Sequence, residues 1–226
     1  LVSSLNAMFI NSWFLPSVLI SQLIQPIKYC LGATMIVRRD LLNKMGGFQA
    51  LSDYLADDYM LGKFVTDQGY KIHLSNFVVE NIVEEASFKD LLLHELRWAR
   101  TLRRVEPLGY FFTFLTDTLV IGMFTTLVLY ITTQSQAWAL VPVLLASTAR
   151  VLLHIRTRQI TNSSQAGPIW LIPLRDLLSF CIRVISFTGT SIQWRNNAFN
   201  VDQSGLIHAN VEEPLIELDI PEKSLT

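Results

Sequence analysis

The hydrophobic and polar positions of this 226-residue chain divide it into three unlike stretches. Residues 1–27, LVSSLNAMFINSWFLPSVLISQLIQPI, are apolar but interspersed with Asn6, Asn11, Ser12 and Gln22. Pro16 has no amide hydrogen and is expected to interrupt a single helix there. With Trp13 and Phe14 as anchors, the preferred reading is segments lying in a membrane interface; a buried helix pair or a short span are the alternatives. Residues 29–48, YCLGATMIVRRDLLNKMGGF, read as a strand and then a helix that starts near Asp40 and stops at Gly46-Gly47. DDYMLGKFVTDQG (57–69) predicts a helix ending at Gly69, and YKIHLSNFVVENIV alternates well enough for one or two strands over 72–83. SFKDLLLHELRWARTLRR predicts a helix with Ser87 as N-cap and Leu92, Leu96 and Ala99 as its apolar stripe. Strand, helix, helix, strand, helix is the order of the rear portion of an α/β domain.

From Leu108 the pattern changes. Leu108–Ile131 would be about 36 Å long as a helix, enough to cross a hydrocarbon layer of about 30 Å. Ala137–Ile155 is a second candidate and Pro168–Thr188 a weaker third, giving an α/β part followed by two or three membrane helices. Asp117 and Arg150 fall at similar depth on the two sides of the TTQSQ link. A charge alone at the bilayer centre costs about 2.5–3.5 kcal/mol on insertion scales, so either the two pair or both sit near the headgroups facing water. Arg175, Asp176 and Arg183 leave open a re-entrant or interfacial course for 168–188. Beyond it, SIQWRNNAFNVD suggests a hairpin turning at Asn196-Asn197, followed by an acidic, Pro-containing tail. The expected division is 1–107, 108–192 and 193–226.

Composition supports a membrane protein: half the residues are hydrophobic, 16% are charged and the mean hydropathy is +0.35. A net charge of −1 excludes a broad nucleic-acid footprint. Cations gather at 97–104 and 150–158, flanking the two candidate spans, so the positive-inside rule puts the α/β part on the cytoplasmic side. Two distant cysteines, Cys30 and Cys181, with no CxxC or His/Cys cluster, argue against a disulfide framework or zinc site. Leu1 begins the sequence without a signal peptide's basic region, and the chain is expected to be the C-terminal part of something longer.

Few residues suggest chemistry. Asp57-Asp58 opens a helix, where acidic side chains complement the dipole; held in a cleft, one of the pair could also accept a proton from a hydroxyl. His94, Arg97 and Trp98 share a helix face at i, i+3 and i+4. Arg97 could grip a phosphate and Trp98 offer a stacking face, or both could simply meet headgroups, as Arg100, Arg103 and Arg104 are expected to do. Cys30, Gly32 and Thr34 form a small-residue strand end open to a ligand. Cys181 and His154, on apolar segments, read as packing residues.

In order, CLGATMIVRRDLLNKMGGF, LADDYMLG, HELRW with RTLRRVEPLGY, a membrane hairpin, PLRDLLSF and WRN resemble the C-terminal half of the ceramide glucosyltransferase-like family, within glycosyltransferase families 2 and 21, which includes hopanoid-associated bacterial enzymes. The resemblance covers residues 1–200. It implies a GT-A fold, an inverting hexosyl transfer from a nucleotide-sugar (a UDP-hexose) to a lipid hydroxyl, and a divalent cation, Mg2+ or Mn2+. By resemblance Asp58 matches the family's third aspartate, the base, and Asp57 stands where relatives often have Glu. Arg97 and Trp98 match the R-W of Q/R-x-x-R-W, and His94 replaces its Gln or Arg. The upstream DxD metal motif does not occur here, so the chain on its own is expected to be inactive. A polysaccharide synthase fragment and a non-catalytic membrane scaffold are the competing readings.

Overall fold

A computed structural model describes residues 1–80, 85, 87–133, 135–162, 167–189, 191–194, 197–201 and 206–209. It is mostly helical, and its sheet is confined to the C-terminal end. The first stretch is one helical run: α1 (Val2–Phe9), a π turn (Ile10–Phe14) and α2 (Leu15–Ile24). Pro16 therefore does not interrupt it. The proline stands in the first turn of α2, directly after the π turn, where the hydrogen-bond pattern is already shifted and its missing N–H is tolerated. The run Val2–Ile24 is long and apolar enough to cross a membrane, so a span is open to it alongside the interfacial course preferred from the sequence.

The next part holds α3 (Arg39–Lys44) and α4 (Asp57–Asp67). Gly46 ends α3 with a positive φ of 92°, as its sequence predicts, although Arg38, not Asp40, occupies the N-cap. Leu41, Leu51, Met60, Leu61 and Val65 form the core of this part. The strands expected over 29–37 and 72–83 are not present: residues 29–37 and 72–80 form no ladder, and 81–83 lie outside the described residues. Residues 72–80 alternate as a strand would, but no strand among the described residues pairs with them, and 29–37 bend at Tyr29 and turn at 32–33 rather than running straight. An α/β layering is therefore not what the described residues display.

Ser87 caps α5 (Phe88–Val105) in a capping box with Asp90: the Asp90 amide donates to Ser87 Oγ at 3.1 Å and the Ser87 amide to Asp90 Oδ2 at 3.1 Å. The face of α5 turned inward is Leu91 and Glu95, not Leu92, Leu96 and Ala99. The rotation follows a charge pair described below.

The span expected at 108–131 is broken. α6 (Pro107–Phe112) and a 3-10 turn (Thr113–Thr116) meet α7 (Thr118–Thr132) at a 60° bend over Asp117. α8 (Gln136–Ala139) runs into α9 (Val141–Thr161), and Gln136–Thr161 is the second helix long and apolar enough to cross a membrane. If the bent pair counts as one span, there are three candidates. α10 (Ile172–Ser186) is 15 residues, about 22 Å, too short for a hydrocarbon layer of about 30 Å. A hairpin forms where expected, β1 (Ser191–Trp194) antiparallel to β2 (Asn197–Val201), and β3 (Ile207–Ala209) adds a third strand. Asn197 belongs to β2, not to the turn. The tail beyond residue 209 lies outside the described residues.

α10 is built inside out. Arg175, Asp176, Ser179, Arg183 and Ser186 lie on one face and are buried, while Leu174, Leu177, Val184, Ile185 and the thiol-bearing Cys181 are turned outward. The exposed position of Cys181 corrects its reading as a packing residue. Arg175, 1% exposed, donates to both Glu95 oxygens of α5 at 2.7 and 2.5 Å and reaches the Leu5 carbonyl of α1. Asp176 accepts two bonds from Arg150 of α9, at 2.7 and 2.6 Å, and Arg150 also donates to the Ser12 carbonyl. Arg183 bonds Asp117 at 2.6 Å and the Thr113 carbonyl at 2.8 Å. The expected alternatives for Asp117 and Arg150 thus both fail, because α10 supplies each with its own opposite charge. His154 packs as expected: its Nε2–H donates to the Gly167 carbonyl, so Nδ1 must accept from the Ser12 hydroxyl.

Removing one member of a buried pair strands the other. Arg175→Met is expected to cost about 3–5 kcal/mol, whereas Arg175→Met combined with Glu95→Leu should recover most of the loss. Thermal unfolding in lipid nanodiscs checks this, and a double variant as unstable as the single one would refute it.

Candidate functional site

Asp58 is placed by two backbones in close contact. α4 begins at Asp57, and its Gly62 lies so near residues 29–30 that a Cβ there would come within 2.4 Å of Tyr29 Cα. The Cys30 amide donates to the Asp58 carbonyl at 3.3 Å, and Gly32 passes beside the carboxylate, where a Cβ would sit 3.0 Å from Asp58 Oδ2. The small-residue segment expected near Cys30, Gly32 and Thr34 thus borders Asp58, as coil. Gly62 was missed in the sequence; an isolated glycine in a helix is a signal for such close approach.

Burial raises the Asp58 carboxyl above its ordinary range, and the neighbouring Asp57 charge adds to this, against hydrogen bonds from the Tyr59 and Gly32 amides. Asp57 is exposed and accepts the Asp58 amide at 3.0 Å. Burial, with Asp58 nearby, also raises the Cys30 thiol. A half-buried carboxylate with an elevated proton affinity, edged by glycine, can accept a proton from an approaching hydroxyl.

The second group stands on α5. Trp98 meets the His94 ring edge-on at 5.0 Å and packs against Phe9 at 6.2 Å and Phe14 at 5.9 Å, both from the first helical run. His94 Nδ1 bonds the Glu85 carboxylate, and the second Glu85 oxygen accepts from Asn6 Nδ2 at 2.7 Å. Burial opposes the Glu85 charge, but bonds from His94 and Asn6 outweigh it and hold this carboxyl below its usual range. Burial lowers the Arg97 guanidinium, which has no ion pair or hydrogen bond among the described residues. Arg103, one of the cations expected at the headgroups, donates to the Gly189 carbonyl at 2.6 Å and lies over Phe187.

No hydrogen bond, ion pair or ring contact among the described residues joins Asp57 or Asp58 to His94, Arg97 or Trp98. The two groups are linked indirectly: Tyr59, next to Asp58, donates to Glu106 at 2.7 Å, just past the far end of α5. Nor do three or more His, Cys, Asp or Glu side chains gather among the described residues as a metal would require, so these residues do not by themselves fit a divalent cation.

Comparison with known proteins then places this arrangement. The family model for glycosyl transferase family 21 matches residues 1–207, which takes in Asp58, the His94–Trp98 face and α10. The chain belongs to glycosyl transferase family 21. It is also similar to ceramide glucosyltransferase 3 of Caenorhabditis elegans, at 23% identity over 184 residues. That match covers 78% of this chain and 39% of the relative, so the chain spans well under two thirds of the relative's length. No solved structure matches.

The Gly62 contact can be tested directly. Gly62→Ala must push residues 29–30 off α4, at an expected cost of about 1–3 kcal/mol. In a Cys181→Ser background, alkylation of the half-buried Cys30 should accelerate; an unchanged rate would show that the segment is not held against α4.

Proposed function

We propose that this chain is the acceptor-side portion of an inverting membrane glycosyltransferase that moves a hexose from a nucleotide-sugar, such as a UDP-hexose, to a lipid hydroxyl. Family membership supports the transferase class, and the ceramide acceptor named for the worm relative supports a lipid substrate. The observation that carries the reading is the Asp58 carboxylate, half-buried beside Gly32 with its proton affinity raised. The division near residue 107, the GT-A fold for the part before it and a cytoplasmic position for that part belong to the same proposal. In it, residues 29–37 and 72–80 pair with strands contributed by the donor-binding portion.

The chemistry assigns each residue a separate task. The lipid hydroxyl oxygen bonds to the anomeric carbon as the bond from that carbon to the diphosphate oxygen breaks, and the hydroxyl proton passes to Asp58. Inversion follows from attack opposite the leaving group. Arg97, with no partner for its guanidinium among the described residues, offsets charge gathering on the departing diphosphate. Asp57 contacts a sugar hydroxyl, and Trp98 lines the path from the first span. The apolar helices hold the lipid chains so that positioning contributes to the rate.

Asp58→Asn is expected to lower kcat by a factor of about 10^2–10^4 while leaving the fold intact. Because the folded state raises the Asp58 pKa, that carboxylate favours folding at low pH and costs stability once ionised; the Asn variant should therefore melt no lower than wild type at pH 7. The acid limb of kcat/KM should fall above the ordinary aspartate value and vanish in the variant. Transfer of glucose from UDP-glucose to ceramide in vesicles by the chain joined to its donor-binding portion measures this, and wild-type rates in Asp58→Asn would remove Asp58 from the base role.

A further inference from the structure

His94 stands where the family motif has Gln or Arg, and the structure gives it an unusual degree of support. Its Nδ1 is bonded to Glu85, only 11% exposed, which is bonded in turn to the Asn6 amide, 5% exposed. A carboxylate accepts and cannot donate, so the proton of the first bond lies on Nδ1. In the neutral ring the lone pair is then on Nε2, which has no hydrogen-bond partner among the described residues, and the His94 side chain is 32% exposed. The ring is further fixed edge-on to Trp98, itself packed against Phe9 and Phe14 of the first span. One buried amide and one nearly buried carboxylate thus set the tautomer and angle of a single, partly open imidazole.

What such an acceptor suits follows from its charge and position. With the ring neutral, the Nε2 lone pair accepts from a hydroxyl or amide N–H and does not pair with diphosphate oxygens. Its surroundings are the aromatic side chains of a membrane-crossing helix, so a lipid head arriving along that helix reaches it. No contact among the described residues joins it to Asp58, so the group it receives differs from the one that gives up its proton there. On the glycosyl-transfer reading above, we propose that Asn6 and Glu85 are positioning residues that present His94 Nε2 to a second, non-reacting hydroxyl of the lipid acceptor. The chain thereby selects lipid heads that carry more than one hydroxyl.

The test is equilibrium binding, which needs no turnover. The intact protein in nanodiscs is titrated with a fluorescent ceramide and with its 3-deoxy counterpart, which keeps the primary hydroxyl. Wild type should prefer ceramide by about five- to tenfold, the value of one hydrogen bond to an otherwise unpaired group. His94→Phe retains a ring against Trp98 but no acceptor and should abolish the preference; His94→Gln should restore much of it, and Glu85→Gln should reduce it. A wild type that binds both lipids equally or binds neither, or a His94→Phe variant that still discriminates, would overturn the proposal. A Glu85→Gln variant that melts earlier yet discriminates as wild type would reduce the chain to a structural tie and equally overturn it. A parallel transfer assay with UDP-glucose, run on the chain joined to a donor-binding portion, separates the two ideas: discrimination without transfer sinks the glycosyl-transfer reading alone, and transfer without discrimination sinks this one.

Discussion

Three arginines without access to water need three acids, and the fold is arranged around meeting that need. Arg150, Arg175 and Arg183 are each buried and each bonded to a carboxylate, and α10 contributes one member of every pair. The other members come from α5, from α9 and from the bend before α7. Among apolar helices in lipid, packing alone discriminates poorly between registers, because the surrounding chains are as apolar as the side chains. A misplaced register would leave an unpaired charge at a cost of several kcal/mol, so the pairs specify one arrangement even where their net contribution to stability is small. The outward face of α10 then needs only to be apolar, and it is.

The same pairs determine how the candidate site faces. Glu95 turns inward to Arg175, with Leu91 one turn earlier packed on Leu5 and Met8. That fixes the rotation of α5 and leaves His94, Arg97 and Trp98 off the inward face. Trp98 and His94 consequently meet the first span, through Phe9, Phe14 and Asn6. Asp58 has a different support, the small core around Leu61 and Met60, joined to the far end of α5 through Tyr59, Val105 and Glu106. The proposed base and the proposed diphosphate contact thus ride on separate supports, one packed on membrane helices and one packed on a coil segment. Relative motion of the two would alter the site without disturbing either core.

Local signals in the sequence survived into the structure where a single residue fixes the backbone. Ser87 with Asp90 begins α5, Gly46 ends α3, and the hairpin forms at 191–201. What the sequence hid was partnership. Asp117 and Arg150 were legible as charges that require an opposite charge, but depth along a hairpin did not reveal that Arg183 and Asp176 lay closer. The apolar stripe on α5 was misplaced for the same reason: hydrophobic spacing puts Leu92, Leu96 and Ala99 inside, and a buried Glu95 overrides it. Pro16 was misjudged because the π turn before it, which removes the expected break, has no marker in the residue pattern.

Residues 29–37 and 72–80 have no strand partner among the described residues. Alternation at 72–80 shows which residues could face each way in a strand, but a strand is a relation between two segments, and the pattern names only one. Residues 29–32 nonetheless have a fixed place, because glycine at 62 admits their backbone to α4 and glycine at 32 admits it to Asp58. Two missing side chains thus bring a coil within contact of a carboxylate and shield that carboxylate from water. Burial in turn raises its proton affinity, and that property makes Asp58 fit to take a proton. The reactivity proposed for Asp58 therefore depends less on its neighbour Asp57 than on two positions where nothing projects from the chain.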